Sequence, residues 1–145
     1  MVKLSAQLVA PCGINCGLCI RYIATLQGKN QELKMPKCMG CNPSKKKCAF
    51  IKGHCELLRL NKITFCYECN SFPCKRLETL NRRYTSRYQT SLVNNLNEIK
   101  ENGINTWLKN QEKLWCCPSC SGIISMHTRK CHECGYEQLE AKETC

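Results

Sequence analysis

The stretch WCCPSCSGIISMHTRKCHECG, residues 115–135, carries the strongest pattern in the chain. It holds two Cys-x-x-Cys pairs with ten residues between them, Cys117/Cys120 and Cys131/Cys134. Each pair can form a tight turn that directs two thiolates at one ion, and four thiolates complete a closed tetrahedral site. Gly135 follows the second pair and permits the positive φ that such a turn needs. The stretch predicts a zinc ribbon with a structural ion, although iron in a rubredoxin-like site has the same ligands.

Ten further cysteines lie between residues 12 and 74. One set falls within eighteen residues and is close enough along the chain to form a local four-thiolate site; its members are Cys38, Cys41, Cys48 and Cys55. The other six form two triplets, Cys12/Cys16/Cys19 and Cys66/Cys69/Cys74. Each triplet lacks a fourth thiolate. Because closing the intervening loop costs only a few kcal/mol, we expect the triplets to meet at a shared metal site.

The cysteine content also bears on the cellular compartment. Sixteen of 145 residues are cysteine, and such a density indicates either disulfides or metal. The first ten residues lack the apolar run of a secretory signal, and no stretch is long enough to cross a membrane. We therefore expect a cytoplasmic protein, in which structural disulfides are disfavoured. Three to four zinc ions are expected, with an iron–sulfur cluster at the two triplets as the alternative.

Residues 75–114 contain no cysteine and have a helical period. Leucines and aromatic residues recur there at three- and four-residue steps, and Asn102-Gly103 interrupts them, so two helices are predicted. The predicted fold is a small metal-stabilised, α-rich α+β domain with short irregular cysteine-rich loops, residues 1–114. A zinc ribbon, residues 115–145, follows it as a small appendage.

The charge balance allows several kinds of partner. The formal net charge is +11, and ionised thiolates with bound zinc would lower it to about +5. The excess of basic residues lies within residues 1–114, where Lys45–Lys47 and the arginines near Tyr84 and Tyr88 could contact a protein or a nucleic acid. No membrane partner is expected, and the sequence leaves the oligomeric state open.

No constellation of catalytic side chains is evident, which favours a non-catalytic zinc-binding interaction module over an enzyme. An iron–sulfur redox or electron-transfer protein is the first alternative, and a nucleic-acid-binding protein is the second.

Three motifs also carry a resemblance: CGINCGLC at 12–19, CMGC at 38–41 and FCYECNSFPC at 65–74. Over roughly residues 8–95 the chain resembles a cysteine-rich family of anaerobic bacteria and archaea that is catalogued as a domain of unknown function. Members that look like this chain also carry a carboxy-terminal Trp-x-Cys-Pro-x-Cys ribbon. The resemblance implies metal binding and an anaerobic prokaryotic cytoplasm, and it implies no reaction.

Overall fold

The computed structural model describes residues 3–40, 51 and 53–139. Five α-helices lie in these residues: α1 (Ile20–Leu26), α2 (Glu56–Arg59), α3 (Lys75–Tyr88), α4 (Leu92–Asn102) and α5 (Ile104–Leu114). Three short 3-10 turns span Ala6–Leu8, Cys16–Leu18 and Cys66–Glu68. In the same residues β pairing is confined to four isolated bridges. None of the described helices combines the length and the apolar character that crossing a bilayer requires.

The predicted helical region contains one helix more than the sequence pattern indicated. The first predicted helix ends at Tyr88, and Gln89 adopts a left-handed conformation with φ 50°. Ser91 then caps α4, because its hydroxyl accepts the N–H of Asn94 at 3.2 Å. Asn81 of α3 accepts the N–H of Leu92 at 2.7 Å and so holds the start of α4. The expectation of two helices was wrong because the apolar period continues across a break that polar side chains create.

The predicted boundary at Asn102-Gly103 is confirmed. Gly103, with φ 83°, separates α4 from α5. The Asn15 side chain caps the 3-10 turn Cys16–Leu18 by accepting the N–H of Gly17 at 3.1 Å. Helix α1 begins directly after this turn, at Ile20.

One hydrophobic cluster packs the cysteine-rich segments against α3 and α4. Its buried members include Cys12, Cys16 and Cys66 beside Leu77 of α3 and Leu92 of α4. The turn at Gly13 lies very close to α4, since a Cβ there would be only 2.7 Å from the carbonyl oxygen of Leu92. Thiols are therefore part of this core.

A second hydrophobic cluster joins both ends of the described chain to α5. It contains Leu4, Val9, Leu18, Ile99, Trp107, Leu108, Trp115, Cys117, Ile124, Met126 and Cys131. The N–H of Met126 donates to the carbonyl oxygen of Leu18 at 3.0 Å. The division between residues 114 and 115 stays a prediction, but the described part of the carboxy-terminal segment shares a core with the rest of the chain.

Candidate metal centre

Two turns of the same geometry carry the four carboxy-terminal cysteines. The N–H of Cys117 donates to the carbonyl oxygen of Gly122 at 2.8 Å, and the N–H of Cys131 donates to that of Tyr136 at 2.8 Å. In each turn, the residue four positions after the first cysteine has a positive φ. These residues are Ser121, with φ 63°, and Gly135, with φ 82°. The prediction that Gly135 adopts a positive φ is confirmed, and Ser121 occupies the matching position in the other turn.

The four sulfur atoms converge. We refer to Cys117, Cys120, Cys131 and Cys134 as the carboxy-terminal tetrad. All four sulfurs lie within 4.8 Å of one another, with 3.6 Å between Cys117 and Cys134 and 3.5 Å between Cys120 and Cys131. Zinc–sulfur bonds of about 2.3 Å in a tetrahedron require sulfur–sulfur separations of about 3.8 Å. The tetrad can therefore hold one metal ion.

Backbone N–H groups set which thiol of the tetrad ionises first. The N–H of Tyr136 donates to the Cys134 sulfur and lowers the pKa of this thiol to about 7. The N–H of Gly122 favours the Cys120 thiolate, but hydrogen bonds with Cys131 and Cys134 outweigh it and raise the pKa of Cys120 to about 12. Burial raises the pKa of Cys131. A bound cation would remove the repulsion that makes full ionisation of the set costly.

The remaining cysteine of the 115–135 stretch has another role. Twelve of the described cysteines are free thiols, whereas Cys116 is disulfide-bonded. It is buried beside Cys117 and does not belong to the tetrad.

A second set of thiols surrounds Cys66. The set, which we call the Cys66 group, consists of Cys12, Cys55, Cys66, Cys69 and Cys74. Burial raises the pKa of Cys66, and the other four thiols raise it further when they carry charge. All but Cys12 line a cavity of about 270 Å³ whose other walls include Ile63, Phe72 and Leu77.

Helix starts and one turn position the Cys66 group. Cys55 directly precedes α2 and Cys74 directly precedes α3. Cys66 begins the 3-10 turn Cys66–Glu68, and Cys69 follows it. The N–H of Cys66 donates to the carbonyl oxygen of Pro11 at 3.0 Å, which holds this turn beside the segment that carries Cys12.

A third set, the Cys19 group, consists of Cys16, Cys19 and Cys38. Burial raises the pKa of Cys19, and negative charge on Cys16 and Cys38 raises it further. The N–H groups of Arg21 and Tyr22 donate to the Cys19 sulfur and partly offset this rise in the pKa. The N–H of Cys38 donates to the Thr25 hydroxyl at 2.9 Å, which attaches this cysteine to α1.

This grouping differs from the one that the sequence suggested. Cys12 approaches Cys66 across the two triplets, as expected, but Cys16 and Cys19 lie near Cys38 instead. Cys55, expected to join Cys38, lies near Cys66. Cys41 and Cys48 lie outside the described residues. In the described part of the chain only the tetrad has three or more potential ligand atoms within 4.8 Å, so metal binding by the ten upstream cysteines stays a prediction.

Residues that the motifs did not identify lie between the thiol sets. His127 Nδ1 accepts the N–H of Ile20 at 3.4 Å, and His127 Nε2 lies 3.3 Å from the Tyr84 hydroxyl. Burial, followed by the charge of Arg21, lowers the pKa of His127, and burial raises that of Tyr84. At neutral pH the imidazole is uncharged and the phenol keeps its proton. Arg129 stacks on Trp115 with its guanidinium carbon 4.8 Å from the ring centroid, and it donates to the carbonyl oxygen of Tyr88.

Comparison with known proteins adds a family match. Residues 8–79 match the family model described as "Protein of unknown function (DUF3795)". The matched segment holds the Cys19 group and the Cys66 group, and it ends before the tetrad. It agrees with the family resemblance of the sequence over those residues. No curated protein and no solved structure matches the chain.

Sequence patterns had no means of finding the contact between Tyr84 and His127. The two residues are 43 positions apart, and Ile20 is 107 positions from His127. In the sequence, Tyr84 is one member of the apolar pattern of a predicted helix, and His127 is a histidine near four cysteines that already complete a metal site.

Proposed function

We propose that this is a zinc-binding protein in which the carboxy-terminal tetrad forms a structural zinc ribbon site. The observation that supports this most directly is the sulfur geometry of the tetrad, with separations of 3.5 and 3.6 Å. With four thiolate ligands and no position left for water or substrate, such a site stabilises structure instead of activating a substrate. We further propose that the protein is a non-catalytic interaction module.

Zinc is preferred to iron at the tetrad for a structural reason. Cys117 and Cys131 are fully buried in the core that contains Trp107 and Trp115. Zinc has no redox chemistry, so it would keep one charge and one geometry inside this core. Iron with the same four thiolates would change its charge by one unit on each redox cycle.

Elemental analysis of anaerobically purified protein tests the proposal. We expect three to four zinc ions per chain in the wild type and one fewer in Cys134→Ser. Ser119→Ala is the matched control, because Ser119 is an exposed residue of the other turn, between Cys117 and Cys120, and is not one of the four cysteines. A wild type that contains iron at the tetrad, or a Cys134→Ser variant that keeps all its zinc, would show that the assignment is wrong.

An iron–sulfur protein is the second candidate, and one observation favours it. Four thiols of the Cys66 group line a single cavity of about 270 Å³, yet no three of the described upstream thiols lie within 4.8 Å of one another. A cluster distributes its thiolates over several irons, and so holds them farther apart than a single ion does. We propose the Cys66 group as the place for such a cluster if the protein contains one.

Visible absorption distinguishes the two candidates. Anaerobically purified protein with a cluster is brown and contains acid-labile sulfide, and Cys66→Ala should abolish both signals while the zinc of the tetrad remains. A colourless protein with stoichiometric zinc, and no labile sulfide after anaerobic incubation with ferrous iron and sulfide, would exclude the cluster.

A partner of the module remains a proposal. The basic residues Arg82, Arg83 and Arg87 are exposed on α3. Tyr84 and Tyr88, by contrast, pack edge-on against His127, with ring centroids 5.8 and 4.7 Å from it. These tyrosines are therefore poor platforms for stacked bases, which favours a protein partner over a nucleic acid.

A further inference from the structure

A cavity of about 540 Å³ opens between α1, α3 and the carboxy-terminal segment. It is within the usual size range of small-molecule sites, about 300–1,000 Å³. Three arginines line it: Arg21 in the first turn of α1, and Arg83 and Arg87 on α3. The aromatic side chains of Tyr22 and Tyr88 add apolar wall. None of this volume belongs to the tetrad or to the Cys66 cavity.

The charge of the cavity wall is strongly one-sided. No aspartate or glutamate is among the described residues that line it. The acidic groups of the wall are the thiols of the Cys19 group. A metal ion bound to these thiols would cancel most of their negative charge and leave the three guanidinium groups in excess.

Hydrogen bonding leaves one more donor free at the wall of this cavity. Because His127 Nδ1 accepts the N–H of Ile20, the proton of the neutral ring lies on Nε2. Nε2–H then donates to the Tyr84 oxygen, 3.3 Å away. The Tyr84 hydroxyl proton is consequently directed at a different acceptor, and Tyr84 is itself part of the cavity wall.

We propose that this cavity binds a small molecule through an oxyanion group, a phosphate or a carboxylate, that accepts hydrogen bonds from Arg83, Arg87 and Tyr84. Guanidinium groups have no acceptor and match the paired oxygens of both oxyanions. The Tyr84 hydroxyl, oriented by His127, supplies a neutral donor that fixes the position of one oxygen. The tyrosines and the thiol wall would contact the body of the ligand. The inference does not depend on which metal the protein contains.

One other role for the arginines must be separated from this one. They could serve only to offset the negative charge of a metal–thiolate centre at the Cys19 group. In that case Arg83→Gln would loosen the metal and would leave no anion binding to lose. Measuring metal retention and anion binding on the same samples distinguishes the two roles.

The test is calorimetric titration of the full-length protein, purified with its metal, using inorganic phosphate and, separately, benzoate. The wild type should bind at least one probe saturably at millimolar concentration, and the better probe identifies the source of the oxyanion. Arg83→Gln should weaken binding about tenfold or more, because a charge-assisted hydrogen bond is lost. Arg82→Gln removes the same charge from the neighbouring position of α3, outside the cavity wall, and should change binding less than about twofold.

Tyr84→Phe provides a second variant that removes only one oxygen. It should weaken the same probe severalfold while the circular dichroism spectrum and the metal content stay those of the wild type. The proposal is overturned if the wild type binds neither probe, or if Arg82→Gln and Arg83→Gln weaken binding equally. It is also overturned if only an oligonucleotide binds, since the arginines would then form a nucleic-acid surface.

Discussion

If the tetrad holds the proposed zinc ion, losing that ion should destabilise the helices as well as the carboxy-terminal segment from Trp115 onward, and Cys134→Ser is the variant that tests this most directly. Cys134 is exposed and is not a member of the second hydrophobic cluster. Replacing its sulfur by oxygen therefore removes a ligand and leaves the packing unchanged. A structural zinc site in a small domain contributes apparent binding free energies of about 10–16 kcal/mol at pH 7.

The size of the shared core determines how far this loss spreads. If the segment from Trp115 onward detached alone, it would expose Trp115, Ile124 and Met126, which are 1–2% exposed in the folded chain. Burial of such side chains contributes about 1.5–3 kcal/mol each, so the three together contribute about 5–9 kcal/mol. This is comparable to the whole stability of a typical domain, about 5–15 kcal/mol. Detachment of the segment from Trp115 onward should therefore leave too little buried apolar surface to keep the rest of the chain folded.

Two measurements on one sample check the coupling. Circular dichroism during thermal unfolding follows the helices, and amide NMR signals of Ile123–Met126 follow the carboxy-terminal segment. Cys134→Ser should lower both transitions together, while Ser119→Ala should leave both in place. If the amide signals of the carboxy-terminal segment are lost while the helical transition of Cys134→Ser matches that of the wild type, the segment is an independent appendage and the reasoning from the shared core is wrong.

Three further predictions follow from single side chains. In metal-free protein, the alkylation rate of Cys134 should be half-maximal near pH 7, because the Tyr136 N–H lowers the pKa of this thiol to about 7. An ordinary thiol reaches its half-maximal rate at about pH 8.5. The same pH profile of alkylation for Cys134 in the folded and in the denatured protein would contradict this. Burial lowers the pKa of His127, so the unfolded chain binds the proton more readily, and folding stability should fall as the pH drops below about 6.5. His127→Gln should remove that part of the pH dependence in denaturant titrations, and an unchanged profile would count against it. Trp107→Ala should lower the free energy of unfolding by about 3–5 kcal/mol. Trp107→Phe should lower it less, because the indole N–H that it removes is buried without a partner among the described residues. Equal losses of unfolding free energy in chemical denaturation would refute that reasoning.

The tetrad was predictable because its geometry is local. Each turn is complete within six residues, from Cys117 to Gly122 and from Cys131 to Tyr136. The spacing of the cysteines and the position of Gly135 therefore contain most of the information that the turn requires. The helix-rich character of residues 75–114 was predictable for the same reason, since side chains three and four positions apart lie on one helix face.

The grouping of the upstream thiols was not predictable, because it depends on how distant segments pack. Cys38 meets α1 through Thr25, and the turn at Cys66 meets Pro11 through one backbone hydrogen bond. The spacing of residues along the sequence indicates neither of these two contacts. The break between α3 and α4 was missed for a related reason: the cap at Ser91 and the contact from Asn81 are polar interactions, whereas the prediction followed only the apolar period.

Cysteine positions and core positions coincide in this chain. The first hydrophobic cluster contains Cys12, Cys16 and Cys66, and the second contains Cys117 and Cys131. A buried thiol packs like a small apolar side chain, but as a metal ligand it also joins segments that are distant along the chain. Small domains bury too little surface to be stable from packing alone and often gain the remainder from metal. If the proposed metals are bound, each cluster would combine the two contributions in the same residues, and removing the metal would open the core in the same event.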